Sequence, residues 1–419
     1  MPASSLQAGD CEGAPGEAAA GIAARLAYNL VKGLLSNVPE DDAARVEVTM
    51  KAVVAMNAFK GSIRARAATD AVALAFEQAG FEVERLYLAD GGEGTIEAAA
   101  AMGARVEFVP TMDPLMRPIE APIAWLGQTA VIELARASGM ALIAPEERNP
   151  MQTTTWGTGV LVRRALEQHA TTIILGVGGS ATLDGGLGML AAMGFSVTDD
   201  AGDATWRGGE GLTRTTRIVG SGAGRPASLV LATDVINPLT GPTGAAAVFG
   251  PQKGGTADMV SAIEKGMESL ARLTAQVTGV HLESMPGAGA AGGLAGTAVA
   301  WLGARTQPGA EVFMDLQDFD RRAAGVPILV TGEGRIDAQT VYGKVPVRVA
   351  RRFRSVSPGG LVVALAGAVR DRAAVHDAGI DILLATPDAP MSEQDAMANA
   401  LPLLEQTAGE VARLLAPRG

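Results

Sequence analysis

Cysteine is almost absent from this sequence. The sole example, Cys11, lies in a low-complexity stretch and can form no internal disulfide, which excludes a disulfide-stapled secreted framework. Histidine is nearly as scarce, and His169, His281 and His376 are scattered with none in a glycine loop. A zinc site or a Ser-His-Asp triad needs better placed histidine, so any metal is expected to be a hard cation held by carboxylates, such as Mg²⁺. Basic residues are outnumbered, 34 Lys and Arg against 45 Asp and Glu, and the net charge of -11 argues against nucleic acid or an anionic membrane as partner. Residues 1–24 hold no Lys or Arg, the wrong character for a signal or transit peptide. The longest uncharged stretch, 284–304, could span a bilayer by length, but it carries six glycines and a proline, with Ala supplying most of its apolar content. No G-x-x-x-x-G-K-[ST] occurs, because Val345 follows Lys344, and a P-loop enzyme is set aside. These absences point to a soluble, cytoplasmic protein that meets a small-molecule substrate, with a homodimer left open.

What is present is apolar and rich in glycine. Of the 419 residues, 48% are hydrophobic, too many for a disordered chain and enough, at roughly 100–200 residues per domain, for two or three cores. Glycine reaches 53 residues without a G-X-Y period, so the excess belongs in tight loops, of the kind that hold small anions against backbone N–H groups. Within residues 1–49, Ile22, Leu26, Leu30 and Leu34 recur every four residues and predict one amphipathic helix, for docking or for a partner. From Lys51 onward, short apolar runs at 52–56, 172–175, 228–233, 327–330, 361–365 and 381–385 alternate with helical stretches. Continuous Val/Ile/Leu strands separated by helices predict an α/β fold with parallel sheets covered on both faces. Ligands bind beyond the carboxyl ends of such strands, and here those ends carry Asp90, Gly178, Asp234 and Glu333.

Five loops could carry chemistry. Residues 175–188 read LGVGGSATLDGGLG; Gly176, Gly178 and Ala181 fit a dinucleotide fingerprint, with Asp199 and Asp200 downstream. Asp184 in the first helical turn would repel a pyrophosphate unless a cation intervened, which suits a Mg²⁺-nucleotide better; a glycine turn made only for packing is the plainer alternative. Residues 89–95 read ADGGEGT, where Asp90 and Glu93 could bind hydroxyls or orient a cation. Residues 331–344 read TGEGRIDAQTVYGK and gather Glu333, Arg335, Asp337 and Lys344 after a buried strand. Mixed charge at a strand exit is what phosphoryl transfer requires, cations neutralising the transferred group and a carboxylate taking a hydroxyl proton or a metal. Residues 234–253 place Asp234 at a strand end and Lys253 in a turn, and GAGAAGG at 287–293 leads into a helix at 294–302 whose amides could cradle an anion.

Taken together, AFKGS at 58–62, ADGGEGT at 89–95, ASGM at 137–140, RNPMQTTTWGTG at 148–159, GGSATLDGG at 178–186, DVINPLTGPTGA at 234–245, VFGPQKG at 248–254, GAGAAGGL at 287–294 and TGEGRIDAQTVYGKVP at 331–346 resemble the bacterial glycerate kinase family. The resemblance runs from Met50 to near the C-terminus, with Met50 matching the family's usual start and residues 1–49 standing as an extension. It implies two α/β domains: a Rossmann-like parallel-sheet domain from residues 51–110 and 287–419, with a second α/β domain, 111–286, inserted. It further implies transfer of the ATP γ-phosphoryl group to a hydroxyl of D-glycerate, commonly giving 2-phosphoglycerate, with ATP and Mg²⁺ at a cleft between the domains. On that basis Asp184 is expected as base or hydroxyl-orienting acid, with Lys60, Asp234, Glu333 and Asp337 also catalytic, and Asp234 and Asp337 holding metal. Asp90, Gly91, Glu93, Arg148, Ser180 and Lys344 are expected at the substrate. Gly178, Gly179, Gly287, Gly289, Gly292 and Lys253 are expected at the nucleotide. Three departures from the family pattern stand out: Asn57 and Ala58 replace an expected Asp and Ser, and Leu183 replaces an Asn. Asn57 cannot act as a base. They leave open a kinase of another small hydroxy acid or a silent ligand-binding homologue.

Overall fold

The computed structural model describes residues 50–416, apart from 221–223, 225–227, 338–339 and 341–342. The helix expected over 22–34 lies outside the described residues. The strands are β1 (Lys51–Met56), β2 (Glu82–Arg85), β3 (Arg105–Met112), β4 (Pro118–Leu126), β5 (Thr129–Glu133), β6 (Thr172–Gly176), β7 (Ser196–Thr198), β8 (Arg217–Val219), β9 (Ser228–Ala232), β10 (Arg305–Gln307), β11 (Ile328–Ile336), β12 (Leu361–Val369) and β13 (Ile382–Ala385). They form a five-stranded sheet in the order β13-β12-β11-β1-β2, a six-stranded sheet in the order β10-β9-β6-β5-β4-β3, and a small β7-β8 ribbon.

Alternation within the strands explains the layering, since successive side chains point to opposite faces. In β1, Ala52, Val54 and Met56 pack with Val72 and Phe76 of the helix Ala65–Gln78 and with Leu404 and Ala408 of the helix Ala400–Leu415. Val53 and Ala55 face the other way, into a cluster with Phe313, Val349 and Phe353. That same cluster takes Ala124, Val131, Ile174 and Val230 from the six-stranded sheet. A helix layer, including Thr95–Ala101, Gly309–Leu316 and Val345–Val356, is therefore shared between the two sheets. The far face of the second sheet buries Ile132, Leu175 and Leu231 against Leu161, Met267 and Leu294. Each sheet thus buries both faces, as the continuous apolar runs require.

The five-stranded sheet is wholly parallel, as expected. The second is not: β3 pairs β4, and β4 pairs β5, antiparallel. Sheet membership also moves the expected boundaries at 110/111 and 286/287, because β3 and β10 both pair within the six-stranded sheet, which runs from Arg105 to Gln307. β10 reads RTQ and is largely exposed, so no apolar run announces it. Among the described residues no helix is long and apolar enough to cross a membrane, and the stretch 284–304 instead folds into a buried glycine turn and the helix Leu294–Leu302.

Candidate functional site

β1 stops at Met56, opposite Gly332, while β11 and β12 continue paired to Ile336 and Val369. The sheet edge is therefore stepped, and Glu333, expected in a loop, sits inside β11 beside the gap where β1 has ended. A cavity of about 490 Å³ opens there, lined by Asn57, Lys60, Asp90, Asp234, Glu333 and Lys344 among others. Four separate sequence blocks are thereby brought to one place.

The charges are arranged in pairs across the cavity. Lys60 Nζ lies 3.9 Å from Asp90, Lys344 Nζ lies 3.8 Å from Glu333 and 3.6 Å from Asp337, and Arg348 lies 3.4 Å from Asp234. Lys344 immediately precedes the helix Val345–Val356, and Arg348 comes one turn later, so one helix start delivers both cations. Glu333 accepts a hydrogen bond from Thr340 at 3.0 Å, and Asn57 also bonds to it. Burial raises the Glu333 carboxyl above its ordinary range against the pull of Lys344. Burial likewise pushes Asp234 up to about 6; Arg348 opposes the shift, while Asp90 and Glu311 add to it. Asp234 is then mostly ionised at neutrality yet basic enough to accept a proton, which suits proton transfer.

The loop after β2, which carries Asp90, packs on loops of the six-stranded sheet through close backbone contact. Gly178 N–H donates to Gly91 O at 2.9 Å, and a Cβ on Gly178 would stand 2.5 Å from Gly92 Cα. A Cβ on Gly91 would stand 2.0 Å from Ala232 O. These glycines are required by the approach of three loops.

The glycines expected to cradle the nucleotide do something else. The N–H groups of Gly178, Gly287 and Gly289 already donate to Gly91, Ile236 and Asn237 carbonyls. Gly292 is buried, where a Cβ would meet Thr182 O at 2.0 Å, and its carbonyl accepts from Gly185 N–H. Gly179 takes a positive φ of 72° and its carbonyl accepts from Met140 N–H. Ser180 is buried and shares a hydrogen bond with Thr182. Close packing, the plainer reading of this loop, describes Gly178, Gly287, Gly289 and Gly292, whereas Gly179 is exposed.

Asp184 is likewise elsewhere. It is fully buried, and its carboxylate accepts from Thr155 N–H and Oγ1 at 2.7 and 2.8 Å, Thr154 Oγ1 at 3.1 Å, and Gly186 and Gly188 N–H at 3.0 and 3.3 Å. Both oxygens are committed to the loop and the start of the following helices, so the expected base is here a loop anchor. Burial holds its pKa above the ordinary carboxylate range against those donors. Lys253 is buried beside it, donating to Thr182 O at 2.7 Å, and burial lowers its pKa to about 7 against the pull of Asp184. Leu183 is core. Asp337 stays outside the cavity lining, behind Lys344, and Glu93 is exposed. Arg148 Nε is buried without a hydrogen-bond partner among the described residues, and Arg148 lies outside the cavity lining. Sequence reasoning missed Arg348, whose spacing four residues after Lys344 was the available signal.

Two parallel-strand edges facing one cleft, with paired lysines and carboxylates, define an α/β protein equipped to handle an anionic small molecule. The profile of the glycerate kinase family matches residues 52–416. A glycerate kinase of Bacillus subtilis is 40% identical over 373 residues, 87% of this chain and 97% of its own length. A glycerate 2-kinase of Escherichia coli K12 is 38% identical over 342 residues, 79% of this chain and 89% of its own. A crystal structure from Salmonella typhimurium LT2, assigned as glycerate kinase 2, superposes with a TM-score of 0.76 at 36% identity, covering 87% of this chain and 97% of that one. The chain belongs to the glycerate kinase family, and its class of reaction is that of an ATP-dependent kinase.

Proposed function

We propose that the protein transfers the γ-phosphoryl group of ATP to a hydroxyl of D-glycerate and releases 2-phosphoglycerate, with Asp234 taking the hydroxyl proton. The observation that carries this reading is the gathering of Asp234, Lys60 and Lys344 in one cavity. The glycerate oxygen attacks the γ-phosphorus, its proton passes to a carboxylate oxygen of Asp234, and the bond to the ADP oxygen breaks. Lys60 and Lys344 neutralise phosphate charge. Arg148, with its unpaired Nε, is assigned to an anionic group of the substrate.

No group of three or more metal-ligating side chains occurs among the described residues. That pattern still fits Mg²⁺, which is usually held by one or two carboxylates together with phosphate oxygens and water. Asp90 fits as such a ligand: it lines the same cavity, and its carboxylate adds to the negative charge around Asp234, which stays free for the proton. When bound, Mg²⁺ would neutralise the phosphates.

The test is an assay of purified protein with ATP, Mg²⁺ and D-glycerate, coupled through enolase so that only 2-phosphoglycerate gives signal. Signal that requires all three components is the expected result. ADP release that requires D-glycerate but gives no enolase signal would move the phosphate to the other hydroxyl. Turnover only with another hydroxy acid would shift the substrate, toward the reading opened by Asn57 and Ala58. Binding of ligands without turnover with any acid would contradict the kinase reading.

A further inference from the structure

The cavity changes character along the sheet edge, in strand order. Over β1 and β11 it presents Lys60, Glu333 and Lys344, with Asp90 approaching from the loop after β2 and Asp234 from the six-stranded sheet. Over β12 and β13 it presents Ala368 and Pro387, and the short helix Glu393–Ala398 adds Ala396 and Met397. Among the described residues, the only charged side chains lining that far end, Arg335 and Glu393, are spent on each other at 3.0 Å. Met397 reaches back across the opening: a Cβ on Gly61, in the loop after β1, would stand 2.8 Å from Met397 Cε. At about 490 Å³ the space exceeds what a three-carbon acid needs and falls in the range of sites for larger organic ligands.

A ligand matched to this gradient has a flat, uncharged body at one end and several negative charges at the other. We infer that this cavity is the nucleotide subsite, with the purine lying against Ala368, Pro387 and Met397 over β12 and β13, and the phosphates running along Lys344 and Lys60 toward Asp234. The hydroxy acid then approaches from the six-stranded sheet, on the Asp234 side. The inference rests on the kinase reading above but assigns the nucleotide to a different wall from the glycine loops. Thioether and alanine surfaces suit a purine because they are apolar and polarizable and make no demand on its hydrogen-bond pattern.

Calorimetric titration with ADP, and separately with inorganic pyrophosphate, tests it on the wild type, on Ala368→Phe, which fills the purine end, and on Met397→Glu, an exposed site where folding is not at stake. Both variants are expected to lose at least tenfold in ADP affinity and to raise KM for ATP. Pyrophosphate affinity and KM for D-glycerate should stay within about twofold. Variants that bind ADP like the wild type, in an enzyme that still phosphorylates glycerate, would overturn the subsite and leave the kinase reading standing. A rise in KM for D-glycerate with ADP binding intact would place the acceptor there instead and overturn it too. A wild type that neither binds ADP nor turns over would overturn both.

Discussion

Asp184 and Asp234 are the same side chain in opposite surroundings. Around Asp184 the protein supplies backbone and hydroxyl donors from Thr154, Thr155, Gly186 and Gly188, so its carboxylate holds a loop to two helix starts. Around Asp234 it supplies one arginine and two nearby carboxylates, and leaves 35% of the side chain exposed. The difference was not legible in the sequence, where each is a single carboxylate in a loop beyond a strand-like run. Asp184→Ala should leave several buried donors unsatisfied and cost about 3–5 kcal/mol in a denaturant titration. A loss below about 1 kcal/mol would contradict the anchoring role.

Among the elements, legibility follows burial. β1, β6, β9 and most of β12 are buried on both faces and read as apolar runs, and the half-buried edge strand β13 reads as one too. β3 and β4 carry Pro110, Pro118 and Pro122, and Phe108 is 63% exposed on the sheet edge, so neither alternation nor a run marks them. β11 is longer than its apolar run because β12 keeps pairing with it through Ile336, which no local signal in TGEGRI could reveal. Glycine is the most ambiguous letter of all, serving equally for close approach and for an open anion cradle. Gly178→Ala separates the two: its φ is not positive, so any penalty comes from the 2.5 Å encounter with Gly92. A fall in stability of about 1–3 kcal/mol is expected, with lower turnover. Stability equal to wild type would return Gly178 to the list of free anion donors.

The whole molecule is two sheets that share a helix layer and a core. Residues of both sheets meet in one apolar cluster, and Glu97 joins Arg64, before the helix on one side, to Arg136 on the other. One cooperative transition is therefore expected in scanning calorimetry, although the chain is large enough for two; two separated transitions would contradict the shared core. The sequence placed strand ends at one ligand site, and Asp90, Asp234, Glu333, Lys60 and Lys344 did converge, while the nucleotide glycines and Asp184 did not, because packing partners far along the chain decide what a loop faces. The most direct test of the account is the pH dependence of kcat/KM for D-glycerate in the wild type and in Asp234→Asn. Since burial raises Asp234 to about 6 and the ionised form accepts the proton, the wild-type rate should fall tenfold per pH unit below about 6. Asp234→Asn should lose at least about a hundredfold and show no such limb. A variant that keeps both the rate and the limb would show that Asp234 does not take the proton.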